Sequence, residues 1–247
     1  MFKSQAKILN IEKACNLTDK AFNYILGKIK EGISEKELAL KIEFFIKRHG
    51  SDIAFPPIVA FGKNSSFPHH VPTFNSQLST LNSIVLLDFG AKLNGYCSDM
   101  TRTVFFGKPT TEQKRMYQTV LKAQQKAIEY IVTHLEGGSP KRSEGHDSFE
   151  VDSIKASEVD KIARDYIVSQ GFPTIPHSLG HGIGRKVHEP PKLSPKSKDT
   201  LNIGMVFTIE PGIYIPGFGG IRIEDVVLLE ESCHRLLTKS SRGLIML

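Results

Sequence analysis

The chain of 247 residues contains no tryptophan and only three cysteines. Cys15, Cys97 and Cys233 are widely spaced and odd in number. That speaks against a disulfide framework and against the paired-cysteine motifs of structural zinc sites; free thiols in a reducing, cytoplasmic compartment are the expectation. No apolar run is long enough to span a membrane, and none near Met1 has the form of a signal peptide, so no membrane partner is expected. Positive charge is in modest excess, at +6, and its clearest cluster, Lys192, Lys196 and Lys198, lies in a Pro/Ser-rich loop without interleaved aromatics. A solvated face is the expectation there, with no nucleic-acid partner; a substrate-facing basic rim is the sharper alternative. With 40% hydrophobic residues the chain can bury the core of one domain.

What the chain does have is a series of candidate metal ligands: Asp88, Asp99, His181, Glu210 and Glu224. Each carboxylate sits on a strand-like apolar run, and the histidine lies between Gly180 and Gly182. Carboxylates with one imidazole suit two hard or borderline divalent cations, and point to hydrolysis by a dinuclear-metal-activated water.

Local geometry brings these residues together in pairs. Asn94-Gly95 is a strong two-residue hairpin signal between two apolar runs. With that turn, Leu93 pairs with Tyr96 and Asp88 falls opposite Thr101. Asp99 then becomes a same-face diagonal neighbour of Asp88, about 7 Å away. Two cations about 3.5–4 Å apart fit between such carboxylates, which would otherwise repel. In the second half, residues 205–210 and 221–229 fold back around the glycine-rich stretch 216–220. Glu210 and Glu224 come nearly opposite one another, with the register blurred by a bulge expected at Pro211-Gly212. Arg222 and Glu224 share a face by the period of two. A charged pair on the inner face of an apolar sheet is hard to explain structurally.

Helical signals frame both hairpins. Residues 9–31 read as an amphipathic helix, and a capping box at Ser34 and Glu37 opens a second helix through Lys47. Thr110 and Gln113 open a third, to about His134. Ser157 and Asp160 open a fourth, to Ser169, closed by Gly171. Two helices followed by a hairpin, twice over, predict an α+β fold of two pseudo-symmetric halves around a curved antiparallel sheet. Residues 137–156 read as a polar insertion within a single domain spanning 1–247.

Pro68-His69-His70, Leu87-Asp88, Tyr96 with Asp99, Thr101 and Arg102, Gly180-His181-Gly182 with His188-Glu189-Pro190, Glu210-Pro211-Gly212, and Arg222 with Glu224-Asp225 closely resemble the pita-bread metallopeptidases of the creatinase/aminopeptidase fold. The resemblance runs from about residue 8 to about 232. It implies a dinuclear centre holding two divalent metal ions, in first place Mn²⁺, with Co²⁺, Fe²⁺ or Zn²⁺ as alternatives. Asp88 would chelate one ion, Asp99 and Glu224 would bridge both, and His181 with Glu210 would hold the other. His188 would donate to the scissile carbonyl oxygen, His69 would serve the leaving nitrogen, and Glu210 could shuttle a proton. His177 and Arg222 would bind substrate and support the ligands.

His177 stands four residues before His181, and Arg222 two before Glu224. Both features resemble the proline-specific branch, the Xaa-Pro aminopeptidases and Xaa-Pro dipeptidases, whose substrate is a peptide with proline at the second position. Methionine removal and a catalytically inactive binding module are the alternatives. Longer members carry an N-terminal domain that helps build a dimer and narrows the site mouth. This chain begins close to where the catalytic domain should, so a homodimer and the substrate length stay open. His70, His134 and His146 are expected to be solvated, Cys97 to pack, and Glu189 to cap or orient its loop.

Overall fold

The computed structural model describes residues 3–79, 83–136, 154–231 and 233–247. Most of the expected insertion therefore lies outside the described residues. Its last part is regular: Ile154–Lys155 is a short strand paired with Thr200–Leu201, and Ala156 begins a helix.

Four helices form two pairs. Helices α1 (Gln5–Leu26) and α2 (Glu35–Arg48) bury Phe22, Ile25, Leu38 and Ile42 against Val59, Val85, Leu87 and Val104. Helices α3 (Thr111–Glu136) and α4 (Ala156–Ser169) bury Val120, Ala123, Val159 and Ala163 against Phe207, Ile209, Ile221 and Val227. Two of the expected caps form as read. Ser34 and Glu37 exchange bonds of 3.2 and 2.8 Å, and Thr110 and Gln113 do the same at 3.2 and 2.8 Å. Helix α1 is shifted from the expected 9–31 and ends before Gly27, where the amide of Lys28 turns back to Ile25 O. Helix α4 starts at Ala156, so Ser157 is inside its first turn and is no cap. Pairing of the preceding strand sets that start, and Asp160 is engaged instead by Arg164 Nε at 2.7 Å and the amide of Leu179 at 3.1 Å.

The first hairpin has the register counted from its turn. Ser83–Phe89 pairs with Met100–Phe106, Asp88 opposite Thr101, and Leu93 pairs with Tyr96. Asn94 and Gly95 have φ of 53° and 77°, the left-handed pair that a two-residue turn matching strand twist requires. Between the two ladders the strands pinch together at Gly90, where a Cβ would stand 1.9 Å from Ser98 O.

The second hairpin is straighter than expected. Ile209 pairs with Asp225 and Gly212 with Arg222, so one register runs through and Glu210 lies opposite Glu224 without an extra residue. There is no bulge at Pro211-Gly212. Pro211 has no N–H to donate, which interrupts the ladder, while its carbonyl still accepts from Ile223 N–H at 3.4 Å.

The hairpins meet edge to edge. Glu224 N–H donates to Thr101 O at 3.1 Å, Arg222 N–H to Thr103 Oγ1 at 3.2 Å, and Thr103 Oγ1 to Arg222 O at 3.0 Å. Alternation then sorts the side chains: Leu87, Phe207, Ile209, Ile221 and Ile223 face the helices, while Asp88, Glu210, Arg222 and Glu224 take the opposite face.

The pinch at Gly90 is a testable constraint. Gly90→Ala places a methyl group on the Ser98 carbonyl and is expected to cost about 3 kcal/mol or more. Urea unfolding should show a lower midpoint at unchanged slope; an unshifted midpoint would contradict the close approach.

Candidate metal centre

All five predicted ligands, with His69, His177, His188 and Arg222, line one cavity of about 700 Å³. One ligand atom each from Asp99, His181 and Glu224 lie within 4.8 Å of one another. His181 Nε2 stands 3.6 Å from Asp99 Oδ2 and 3.5 Å from Glu210 Oε1. The other nitrogen of that ring, Nδ1, lies 3.2 Å from the carbonyl of Gly182, which can only accept. The proton therefore sits on Nδ1, leaving the Nε2 lone pair aimed at the carboxylates, as a ligand requires. The His181 backbone is pinned as well, its N–H donating to Thr208 Oγ1 at 3.1 Å. Glycine at 180 is steric: a Cβ would stand 1.9 Å from Thr208 O.

Asp88 is held differently from the other acids. Arg222 Nη2 meets its Oδ2 at 2.5 Å, while Arg222 Nε and Nη1 donate to Thr101 Oγ1 at 3.0 Å and Tyr214 Oη at 2.7 Å. Thr101 Oγ1 in turn donates to Glu224 Oε2 at 2.7 Å. Tyr214 Oη also lies 2.8 Å from His177 Nε2, and His177 Nδ1 donates to Ser178 O at 2.8 Å. A chain from Asp88 through Arg222 and Tyr214 to His177 thus runs along one wall. His188 packs edge-on against His181, ring centroids 4.3 Å apart.

Burial dominates the electrostatics. It raises Asp88, Asp99 and Glu210 above the ordinary carboxylate range and pushes Glu224 up to about 8; repulsion from neighbouring acids adds to the rise of Asp99, Glu210 and Glu224, and Arg222 opposes it. Burial also lowers His177 and His181 to about 4, keeping both neutral at neutral pH. Asp88 Oδ1 and Asp99 Oδ1 are buried and have no hydrogen-bond partner among the described residues. Buried carboxylates with unpartnered oxygens, in a cluster that also faces an imidazole lone pair, fit hard or borderline divalent cations.

One of the remaining expectations is overturned, and others hold. His70, expected to be solvated, lies 2.7 Å from the carboxylate of buried Glu35. His134 is exposed, and His146 lies outside the described residues. Lys192, Lys196 and Lys198 are all exposed, and Lys192 also lines the cavity. Glu189 accepts from Lys3 Nζ at 2.5 Å and Lys186 N–H at 3.1 Å, which orients the loop after His188. Cys97 packs beside Ile8, Ile11 and Cys15, and all three cysteines are free. Sequence reading missed Tyr214, which carries no motif. It also passed over Thr101 and Thr208, both within reach of the register argument.

The model of metallopeptidase family M24 matches residues 10–231. The chain belongs to this family. It is 40% identical over 247 residues to an Xaa-Pro dipeptidase of Pyrococcus horikoshii, covering 99% of this chain and 64% of that protein. The structure of an Xaa-Pro dipeptidase from Bacillus anthracis superposes with a TM-score of 0.87 at 38% identity, over 100% of this chain and 64% of that one. An X-Pro aminopeptidase from Thermotoga maritima gives 0.87 at 33% identity, over 100% and 65%. The fold is the pita-bread fold of these enzymes, and the chain spans slightly less than two thirds of the relatives' length. No helix among the described residues is long and apolar enough to cross a membrane.

The shifted groups set a pH signature for the metal-free protein. An acid raised to about 8 on folding, as Glu224 is, keeps its proton in the folded state and loses it in the unfolded one, so its contribution falls as pH rises toward 8. The depressed histidines act oppositely, but only below their ordinary 6.5. Between about pH 6.5 and 8 the acids act alone, and the thermal midpoint of the chelated protein should fall. Mn²⁺ should raise that midpoint more at pH 8 than at pH 6.5. A midpoint flat across this range, with or without metal, would contradict the buried-acid assignment.

Proposed function

We propose that this chain is the catalytic part of a metal-dependent exopeptidase that hydrolyses Xaa-Pro bonds at peptide N-termini or in dipeptides, in the cytoplasm, with Mn²⁺ as the first candidate metal. The observation that carries the reading is the buried acid cluster, which holds two oxygens without partners among the described residues and turns Asp99 Oδ2 and Glu210 Oε1 toward His181 Nε2. The names of the relatives supply the substrate class.

Asp88, Asp99, His181, Glu210 and Glu224 would hold two divalent ions. Bound there, such ions acidify water and polarise a carbonyl oxygen. The chain's own groups account for the rest. His188, on the wall beside His181, would donate to the carbonyl oxygen as negative charge develops. His69 would serve the leaving nitrogen, and a prolyl amide nitrogen carries no hydrogen, so help in protonating it matters more than for an ordinary peptide. Glu210 would move the proton between them, a duty that competes with ligation for the same oxygens. His177 and Arg222 would orient substrate through the wall they share with Tyr214, while Arg222 opposes the rise that burial imposes on Asp88. Lys192 forms no ion pair among the described residues, so it is the cavity cation free to meet a substrate carboxylate.

Hydrolysis by metal-stripped protein, with and without Mn²⁺, tests the reading on Ala-Pro, Ala-Pro-Ala, Ala-Ala-Ala and Met-Ala-Ser. Metal-dependent cleavage confined to the Xaa-Pro bonds is expected, with Asp99→Ala losing it by at least about a hundredfold. Ala-Pro against Ala-Pro-Ala separates dipeptidase from aminopeptidase. Cleavage of Met-Ala-Ser alone would transfer the protein to initiator-methionine removal. Silence on every peptide with metal bound would favour a binding module.

A further inference from the structure

We propose that Glu35, buried at the N-terminus of α2, is a positioning residue that places His69 through His70 and the surrounding loop. The catalytic consequence rests on the exopeptidase reading; the anchoring rests on hydrogen-bond geometry alone.

The loop that carries His69 lacks the usual anchor. Its large apolar side chains, Phe67, Val71 and Phe74, are 61%, 75% and 60% exposed, so hydrophobic burial does not fix it. His69 itself has no hydrogen-bond partner among the described residues, although it lines the cavity. Its position is therefore set by its neighbours.

Those neighbours are tied on both sides. Before it, the carbonyl of Pro68 accepts from Arg222 Nη1 at 3.4 Å. After it, His70 Nε2 donates to Glu35 Oε2 at 2.7 Å, and the amide of Thr73 reaches the same oxygen at 3.4 Å. Glu35 Oε1 takes the amide of Phe61 at 2.8 Å and the side-chain amide of Asn64 at 2.9 Å. One carboxylate, 0% exposed, thus gathers four donors from before and after His69.

Helix capping does not explain this. Ser34 and Glu37 already form a complete capping box. The amides of Glu35 and Lys36 donate to Ser76 O at 3.0 Å and Thr73 O at 3.1 Å, so the helix end is satisfied without the Glu35 side chain. An acid in the first turn of a helix gains from the dipole while exposed, and needs no burial for that. Burial of this one is explained by what it holds.

The test uses the full chain loaded with Mn²⁺. Glu35→Gln keeps the shape but presents an amide N–H₂ to donors, and His70→Ala removes one donor. In both, amide hydrogen exchange over residues 62–76 should accelerate by about tenfold or more while exchange elsewhere and bound metal per chain hold. On Ala-Pro or Ala-Pro-Ala, kcat should fall roughly 10- to 100-fold with KM nearly unchanged. His70→Gln, which returns a side-chain N–H, should recover part of the loss. The decisive arm repeats Glu35→Gln in a His69→Ala background. A residue acting through His69 has nothing further to lose there, so kcat should match His69→Ala alone.

Unchanged exchange in this segment, or an undiminished loss in the His69→Ala background, would overturn the proposal. If Glu35→Gln does not fold, His70→Ala carries the same comparison. A wild-type protein silent on every peptide would sink the exopeptidase reading, and the exchange experiment would still decide the anchoring.

Discussion

Four carboxylates share one buried face of this protein with a single guanidinium, and much of the structure follows from that imbalance. The cost of keeping an ionised carboxylate out of water is several kcal/mol per ion even after relaxation. A sheet that buries Asp88, Asp99, Glu210 and Glu224 together must therefore protonate some of them or acquire positive charge. Arg222 neutralises Asp88 directly, and Thr101 stands between that pair and Glu224. Two oxygens remain without partners. In a cluster otherwise so well satisfied, such unpartnered oxygens have the chemistry of cation ligands.

Placing the acids is a matter of strand register, and the chain fixes that register from behind. Arg102 lies opposite Leu87 in the first hairpin, on the reverse face from Asp88 and Thr101. Its Nη1 donates to the carbonyls of Thr101 at 2.9 Å and Glu224 at 2.5 Å, and its Nη2 to Asp225 Oδ1 at 2.5 Å and Ser240 O at 2.9 Å. A guanidinium with all its directions used, paired with a fully buried acid, is the form of buried ion pair that repays its desolvation. It clamps the backbones of both hairpins at Thr101 and Glu224, within the candidate cluster itself. One arginine thus positions the cluster from the reverse face while another neutralises it from the front.

The parts of this arrangement legible in the sequence are those governed by local rules. Asn94-Gly95 permits one turn, and the period of two does the rest, so the pairing of Asp88 with Thr101 could be counted from the turn. The second hairpin was legible in its pairing of Glu210 with Glu224 but not in its regularity. Pro-Gly suggests a bulge, whereas here the proline interrupts the bonding without changing the count. Contacts between distant segments carried no sequence signal. Nothing local ties His70 to Glu35 or Tyr214 to His177, and Lys192 joins the cavity only because its strand pairs beside His181. The start of α4 was misread for the same reason, since a strand pairing 45 residues away fixes it.

The electrostatic imbalance also bears on why the site suits hydrolysis. With every acid ionised and Arg222 charged, the cluster carries a net charge of three negatives, which two divalent cations would turn into a single positive. Neutral histidines complete the first layer, because burial keeps His177 and His181 unprotonated at neutral pH. A pocket that is slightly positive, shielded from water and lined by fixed dipoles stabilises negative charge as it develops on a carbonyl oxygen, and does so without reorganising. A single cation would leave the pocket negative, and protonating the acids would remove the repulsion only by occupying the donor oxygens. On the proposed reading, cation binding and catalysis would be one electrostatic design: the ions that relieve the repulsion held in the folded chain would also make the site attractive to a transition state.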